Sequence, residues 1–279
     1  MREIHADTIT AAVESLFTDA NVNLSQNVID AIESAIPKEE SPVGKEVLRE
    51  LIKNAEMAKA EKLPICQDTG LAVTFVEIGQ DVHITDGDFS GAIAEGVKRA
   101  YEKGYLRKSC CDPFTRKNTG DNTPPIIHIK IVPGDTLKII AMPKGGGSEN
   151  YGEVRMLTPS QGREGVIAFV LEMVKKGGPN PCPPIIVGVG IGSNLETSAE
   201  LSKEALMVPL GTRNSDPEIA ALETEILNEI NKTGIGPQGY GGTITALDVH
   251  VRMLPCHIAS LPVAVNIQCH AHRLKEVTL

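Results

Sequence analysis

The sequence predicts a mixed α/β protein, a single large domain in which a helical N-terminal part precedes sheets flanked by helices. Residues 1 to about 60 place apolar side chains at helical spacing: Ile9, Val13 and Phe17, then Val28, Ile32 and Ile36, then Val47, Leu51 and Ala55. From residue 61 onward, short runs rich in Val, Ile and Phe alternate with further helical stretches, and Pro and Gly gather in the connections. No internal repeat or low-complexity linker interrupts the chain. Residues 1–279 therefore read as one domain, with a helical part at 1–60 and the remainder at 61–279.

Pro64 closes the helical part because it cannot continue a helix. A strand is expected at 71–78 and a helix at 90–103. The polar stretch 105–125 carries Arg107, Lys108, Arg116 and Lys117 around an Asn-Thr-Gly break and reads as a positively charged loop. Strands follow at 126–132 and 136–142, the second leading into Lys144-Gly145-Gly146-Gly147-Ser148. A helix at 160–175, a buried strand at 185–189, helices near 195–208 and 216–232, and strands near 243–253 and 261–268 complete the chain.

The formal net charge of −9, with 36 acidic residues against 27 basic ones, argues against a nucleic-acid or anionic-membrane partner. An anionic substrate must then be met by locally placed Arg and Lys. No run approaches the length of a membrane span, and Met1-Arg2-Glu3-Ile4-His5-Ala6-Asp7 lacks the apolar stretch of a signal peptide. The expected location is cytoplasmic, where six cysteines read as reduced thiols or metal ligands.

Chemistry concentrates around three of those cysteines. Cys66 lies in Pro64-Ile65-Cys66-Gln67-Asp68-Thr69-Gly70, Cys182 in Asn180-Pro181-Cys182-Pro183-Pro184, and Cys269 in Asn266-Ile267-Gln268-Cys269-His270. They are 116 and 87 positions apart, so any shared cofactor has to be assembled by the fold. Buried thiols are one reading, and an iron–sulfur cluster another. A zinc site using His257, His270 or His272 is a third, although only Cys269-His270-Ala271-His272 approaches the usual ligand spacing. Cys110 and Cys111 are adjacent in the basic loop and badly spaced to share one metal.

Around these loops stand polar residues with two readings each. Asp68 is either a carboxylate at a reacting centre or a turn cap. Arg107 is a carboxylate fork or a surface cation. Gly146, Gly147 and Ser148 resemble an anion-binding nest and fit neither a Rossmann turn nor a P-loop. His257 suits acid–base work near neutral pH or a structural place at a strand end. Gly188-Val189-Gly190-Ile191-Gly192 lacks the rest of a nucleotide fingerprint, and close packing around the Cys182 loop explains it better.

Taken with Lys117-Asn118-Thr119-Gly120, Gly234-Ile235-Gly236-Pro237-Gln238-Gly239 and His257 through Cys269, these motifs resemble the alpha subunit of the two-subunit, iron–sulfur class I fumarate hydratases. Near relatives of that family include the L-tartrate dehydratase alpha subunit. The resemblance implies a [4Fe–4S] cluster on Cys66, Cys182 and Cys269, and substrate contacts from Gln67, Asp68, Arg107, Gly146, Gly147, Ser148 and His257, with Asp68 and His257 catalytic. It implies an oxygen-sensitive hydro-lyase of the tricarboxylic acid cycle that interconverts fumarate and (S)-malate, with L-tartrate dehydration as the alternative. Because the chain ends at Leu279, a separate beta subunit is expected to supply further Arg and Lys residues and the catalytic base, in an α2β2 assembly. A different class, a non-catalytic redox or iron-sensing module, would use the same cysteines without a dicarboxylate cradle.

Overall fold

A computed structural model describes residues 1–279. In chain order the elements are β1 (Arg2–His5), α1 (Ala6–Val22), α2 (Gln26–Ala35), α3 (Pro42–Glu61), β2 (Leu71–Gly79), β3 (Val82–Thr85), α4 (Phe89–Lys103), β4 (Ile126–Val132) and β5 (Leu137–Lys144). There follow α5 (Gly146–Glu149), β6 (Glu153–Leu157), α6 (Gly162–Gly177), β7 (Ile185–Gly192), α7 (Leu195–Ala205), α8 (Pro217–Asn231), β8 (Ala246–Leu254), β9 (Leu261–Gln268) and β10 (Lys275–Thr278). The mixed α/β class is the one expected. No helix is long and apolar enough to cross a membrane.

The chain gathers into two interleaved units. One comprises residues 1–25, 54–146 and 273–279, the other 26–53 and 147–272. In the first, β10-β5-β2-β4 form a sheet that is antiparallel except for the β2/β4 pair, and β1 and β3 pair in parallel. Helices α1 and α4 cover that sheet, burying Ile9, Val13 and Phe17 as their spacing predicts, together with Ile93, Val97 and Tyr101. The helices approach closely because position 96 is glycine: a Cβ there would stand 2.7 Å from the Thr10 carbonyl oxygen.

In the second unit the sheet order is β6-β9-β7-β8, with only β7 and β8 parallel. Alternation along β7 divides its two faces. Ile185, Val187, Val189 and Ile191 enter a core with Phe169 and Val170 of α6 and Ile226 and Ile230 of α8. Gly188 and Gly190 face α7, where a Cβ would lie 2.0 Å from the carbonyl oxygens of Ser202 and Ser198 respectively. Close packing does explain this glycine run, but the neighbour is α7 and not the Cys182 loop.

Four strands, β1, β3, β6 and β10, escape the sequence reading because four or five residues are too few for an alternation to register. Helix α3 buries Leu48, Ala55 and Ala58, while Val47 and Leu51 are half-buried. The expected stripe is thus shifted by one position in the first half of the helix, and residues 42–53 of α3 fall in the second unit and 54–61 in the first. Residues 146–149 form a single helical turn where a loop is expected.

Candidate active site

In the first unit, the Cys66 loop is clamped from both ends. The Ile65 N–H donates to the Asn21 carbonyl at 2.9 Å, and the Asn54 amide donates to the Ile65 carbonyl at 2.8 Å. At the other end Gly70 takes φ +74° and lies against the Lys144 backbone, where a Cβ would come within 2.6 Å. The Tyr101 hydroxyl donates to the carbonyls of Thr69 and Gly70 at 2.8 and 3.0 Å. Burial pushes the Tyr101 phenol well above its ordinary pKa, so it remains a donor. The Asn122 amide adds a third bond, to the Gly70 carbonyl at 3.1 Å.

This clamp presents Cys66, Gln67 and Asp68 in a row. The Cys66 thiol is half-buried and donates to Gln67 Oε1 at 3.1 Å, and the Gln67 side chain is exposed. Asp68 accepts from the Gly70 N–H through Oδ1 at 3.0 Å and from the Gly146 N–H through Oδ2 at 2.8 Å. Two backbone amides on separate segments thus orient one carboxylate and leave each oxygen with further lone-pair capacity. Asp68 does cap its own turn, and it also reaches beyond it. The Gly146 amide, expected to face an anion, serves Asp68 in this conformation.

Arg107 is tied to the same loop through its main chain, because the Thr69 hydroxyl donates to the Arg107 carbonyl at 2.9 Å. Its guanidinium is exposed and makes no ion pair within the protein. Around it the 105–125 loop is self-stapled: Asn122 Oδ1 accepts from the Ser109 N–H at 2.6 Å and the Asn118 amide donates to the Lys108 carbonyl at 2.9 Å. Burial pushes the Cys110 thiol up, away from thiolate chemistry.

In the second unit, the other two cysteine loops lie side by side. The His270 N–H donates to the Cys182 carbonyl at 3.4 Å, and the Gln238 amide donates to the Pro183 carbonyl at 2.7 Å while lying 3.1 Å from His270 Nδ1. Cys182 is exposed and holds φ +58°, a left-handed conformation that a non-glycine residue adopts only where its surroundings impose it. Cys269 is half-buried. None of the six cysteines is disulfide-bonded. Gly147 and Ser148 belong to the same region: a Cβ at Gly147 would stand 3.0 Å from the Asn180 carbonyl, and the Ser148 hydroxyl donates to Gln268 Oε1 at 3.4 Å. Neither unit by itself groups three or more His, Cys, Asp or Glu side chains so as to hold a metal ion.

His257 is not brought to this group. Cys182 precedes β7 and Cys269 follows the antiparallel β9, so both lie at the Ile185 end of the sheet. His257 lies in the β8–β9 connection, beyond the Leu254/Gly192 pair at the opposite end. Eight residues of β7 separate the two ends, roughly 23 Å at the usual rise per residue. His257 is exposed beside an apolar groove of about 480 Å³, and its Nδ1 accepts from the Ala259 N–H at 3.1 Å. Sequence reasoning missed Tyr101, Asn122, Gln238 and Arg273, which build the loops. Only Gln238 carried a signal, as the polar residue between Pro237 and Gly239.

Each unit thus carries polar groups on clamped loops, with no nucleotide-binding turn among them. Residues 10–278 match the family model described as fumarate hydratase (Fumerase). The chain is 43% identical over 279 residues to a Methanocaldococcus jannaschii protein provisionally named L(+)-tartrate dehydratase subunit alpha, covering 97% of this chain and 98% of that one. It is 34% identical over 269 residues to the L(+)-tartrate dehydratase subunit alpha of Escherichia coli (strain K12), covering 95% and 88%. These likenesses place the chain among the hydro-lyases. In particular, it belongs to the fumarate hydratase (Fumerase) family, in which these relatives are named as alpha subunits.

Proposed function

We propose that this chain is the alpha subunit of a [4Fe–4S]-dependent fumarate hydratase, which adds water across the double bond of fumarate to give (S)-malate and reverses the reaction. The observation that supports it most is Asp68, two residues after Cys66, its carboxylate oriented by two backbone amides and free to exchange hydrogen bonds with a substrate. The donor set suits the cluster: Cys66, Cys182 and Cys269 are thiols on three tight loops, and thiolates are the usual ligands of such clusters. When bound, a cluster held by three cysteines supplies a Lewis acid for the hydroxyl group that leaves or arrives.

The remaining steps fall to side chains. The exposed Arg107 guanidinium suits a bidentate grip on one substrate carboxylate, with the Gly147 and Ser148 region as a second polar contact. Gln67 offers an amide beside Cys66 to orient the substrate. In hydration Asp68 accepts a hydrogen bond from the arriving water and takes its proton as the C–O bond forms; in dehydration it returns that proton to the hydroxyl group, which leaves as water. Within one chain His257 lies at the opposite end of its sheet from Cys182 and Cys269, and no step is assigned to it. A separate beta subunit, in an α2β2 assembly, completes the site and supplies the base for the neighbouring carbon.

A second reading, L(+)-tartrate as substrate, is favoured by the names of the relatives. Residues Gly147-Ser148-Glu149-Asn150 favour fumarate. The test is an anaerobic assay of the iron-loaded chain co-expressed with its beta subunit. Fumarate hydration at the highest kcat/KM is expected, with next to none from the alpha chain alone. Preference for L(+)-tartrate, read as oxaloacetate formation, would install the second reading. No turnover of either acid, or iron and sulfide retained after Cys66, Cys182 and Cys269 are each changed to Ser, would overturn the proposal.

A further inference from the structure

Arg273 follows Cys269 by four positions and is only 2% exposed, yet no carboxylate forms an ion pair with it. Its Nη1 donates to Asn21 Oδ1 at 3.0 Å and to the Asp68 carbonyl at 2.7 Å. Its Nε is buried without a partner. Nη2 makes no protein bond either and faces Gly145: it stands 3.5 Å from the point a Cβ would occupy there, and Asp68 Oδ2 stands 3.1 Å from the same point. A glycine therefore separates a buried cation from the Asp68 carboxylate. Burying a guanidinium without a contacting counter-ion is costly, and a neutral side chain of similar length would fill the space at less cost.

We propose that Arg273 is a positioning residue for Asp68, an inference that rests on the role given to Asp68 above. Its Nη1 grips the Asp68 main chain, while its charge acts across the Gly145 gap on the carboxylate. Together with the Gly70 and Gly146 amides, this holds the oxygens in a single orientation. Gly145 is required because any side chain would enter the space between the two charges.

The test uses Arg273→Gln, Arg273→Lys and Gly145→Ala in the co-expressed, iron-loaded complex, with deuterium uptake of residues 63–72 as a readout independent of turnover. For Arg273→Gln, kcat should fall about 100-fold at nearly constant KM, the scale of a reacting group displaced by about an ångström. Uptake at 63–72 should rise several-fold. Arg273→Lys should recover part of both losses. Gly145→Ala, which leaves the bonds to Asn21 and Asp68 in place, should lower kcat with unchanged uptake, and it decides the matter if the Arg273 variants do not fold. Unchanged kcat in Arg273→Gln or Gly145→Ala would overturn the inference, as would a rise in KM with kcat intact, the mark of direct substrate binding. A wild-type complex inactive on both acids would defeat the functional reading instead, while faster exchange at 63–72 in Arg273→Gln would still report the grip.

Discussion

Replacing Gly70 with alanine puts three costs on one residue, and a second glycine isolates the first of them. At φ +74° an L side chain costs roughly 1–2 kcal/mol. The new Cβ would stand 2.6, 2.7 and 2.7 Å from the carbonyl carbon, amide nitrogen and carbonyl oxygen of Lys144, backbone atoms in a paired strand that cannot step aside. Forcing such a contact apart adds about 1–3 kcal/mol. Displacing the Gly70 carbonyl weakens the bonds from Tyr101 and Asn122, each worth about 1 kcal/mol. Together these come to roughly 4 kcal/mol. At about 3 °C per kcal/mol, thermal unfolding followed by circular dichroism should begin roughly 10 °C lower. Gly120→Ala is the control: it has φ +87° with nothing within 4 Å of its Cβ, so it should show the backbone cost alone, roughly 1–2 kcal/mol. If the two variants melt within a degree or two of each other, the argument that the Cys66 loop is pinned by backbone contact is refuted.

Gly190→Ala would drive a Cβ to 2.0 Å from the Ser198 carbonyl oxygen and 2.6 Å from the Ser202 amide nitrogen; a loss of about 4 kcal/mol or more is expected, read as insoluble expression, whereas Gly134→Ala, in open space, should remain soluble. Arg213 donates to Asp248 Oδ1 and lies 3.6 Å from Glu223, two carboxylates with side chains only 2% exposed. Arg213→Met should cost about 3 kcal/mol in urea unfolding, the low end for an orphaned buried charge because Arg213 is itself one-third exposed. His250 is buried, with neither ring nitrogen hydrogen-bonded and Asp248 Oδ2 3.5 Å away. Burial lowers its pKa below the ordinary 6.5, against the opposing pull of Asp248 and Glu223. The unfolded chain takes up that proton first, so this contribution is complete above about pH 6.5 and is lost as the pH falls toward the folded value. The urea midpoint should therefore drop between pH 7.5 and 5.5, and His250→Leu should show a shallower drop; equal slopes would remove His250 as the cause.

Periodicity alone determined much of this protein. The face of α1, the helix at 90–103, the buried strand β7 and the basic loop at 105–125 follow from apolar spacing and from Pro and Gly, because burial acts on each segment locally. The three cysteine loops were also legible, since cysteine beside proline, glutamine and aspartate is chemically conspicuous wherever it folds. Tertiary structure decided what spacing cannot encode. It sent His257 to the far end of its sheet, since the direction of β8 and β9 depends on pairing with β7. It committed the Gly146 amide to Asp68, 78 positions away. It buried Arg273 against Asn21 and Asp68, partners more than 200 residues distant. Such contacts arise where distant segments converge, and a linear pattern holds no record of that convergence.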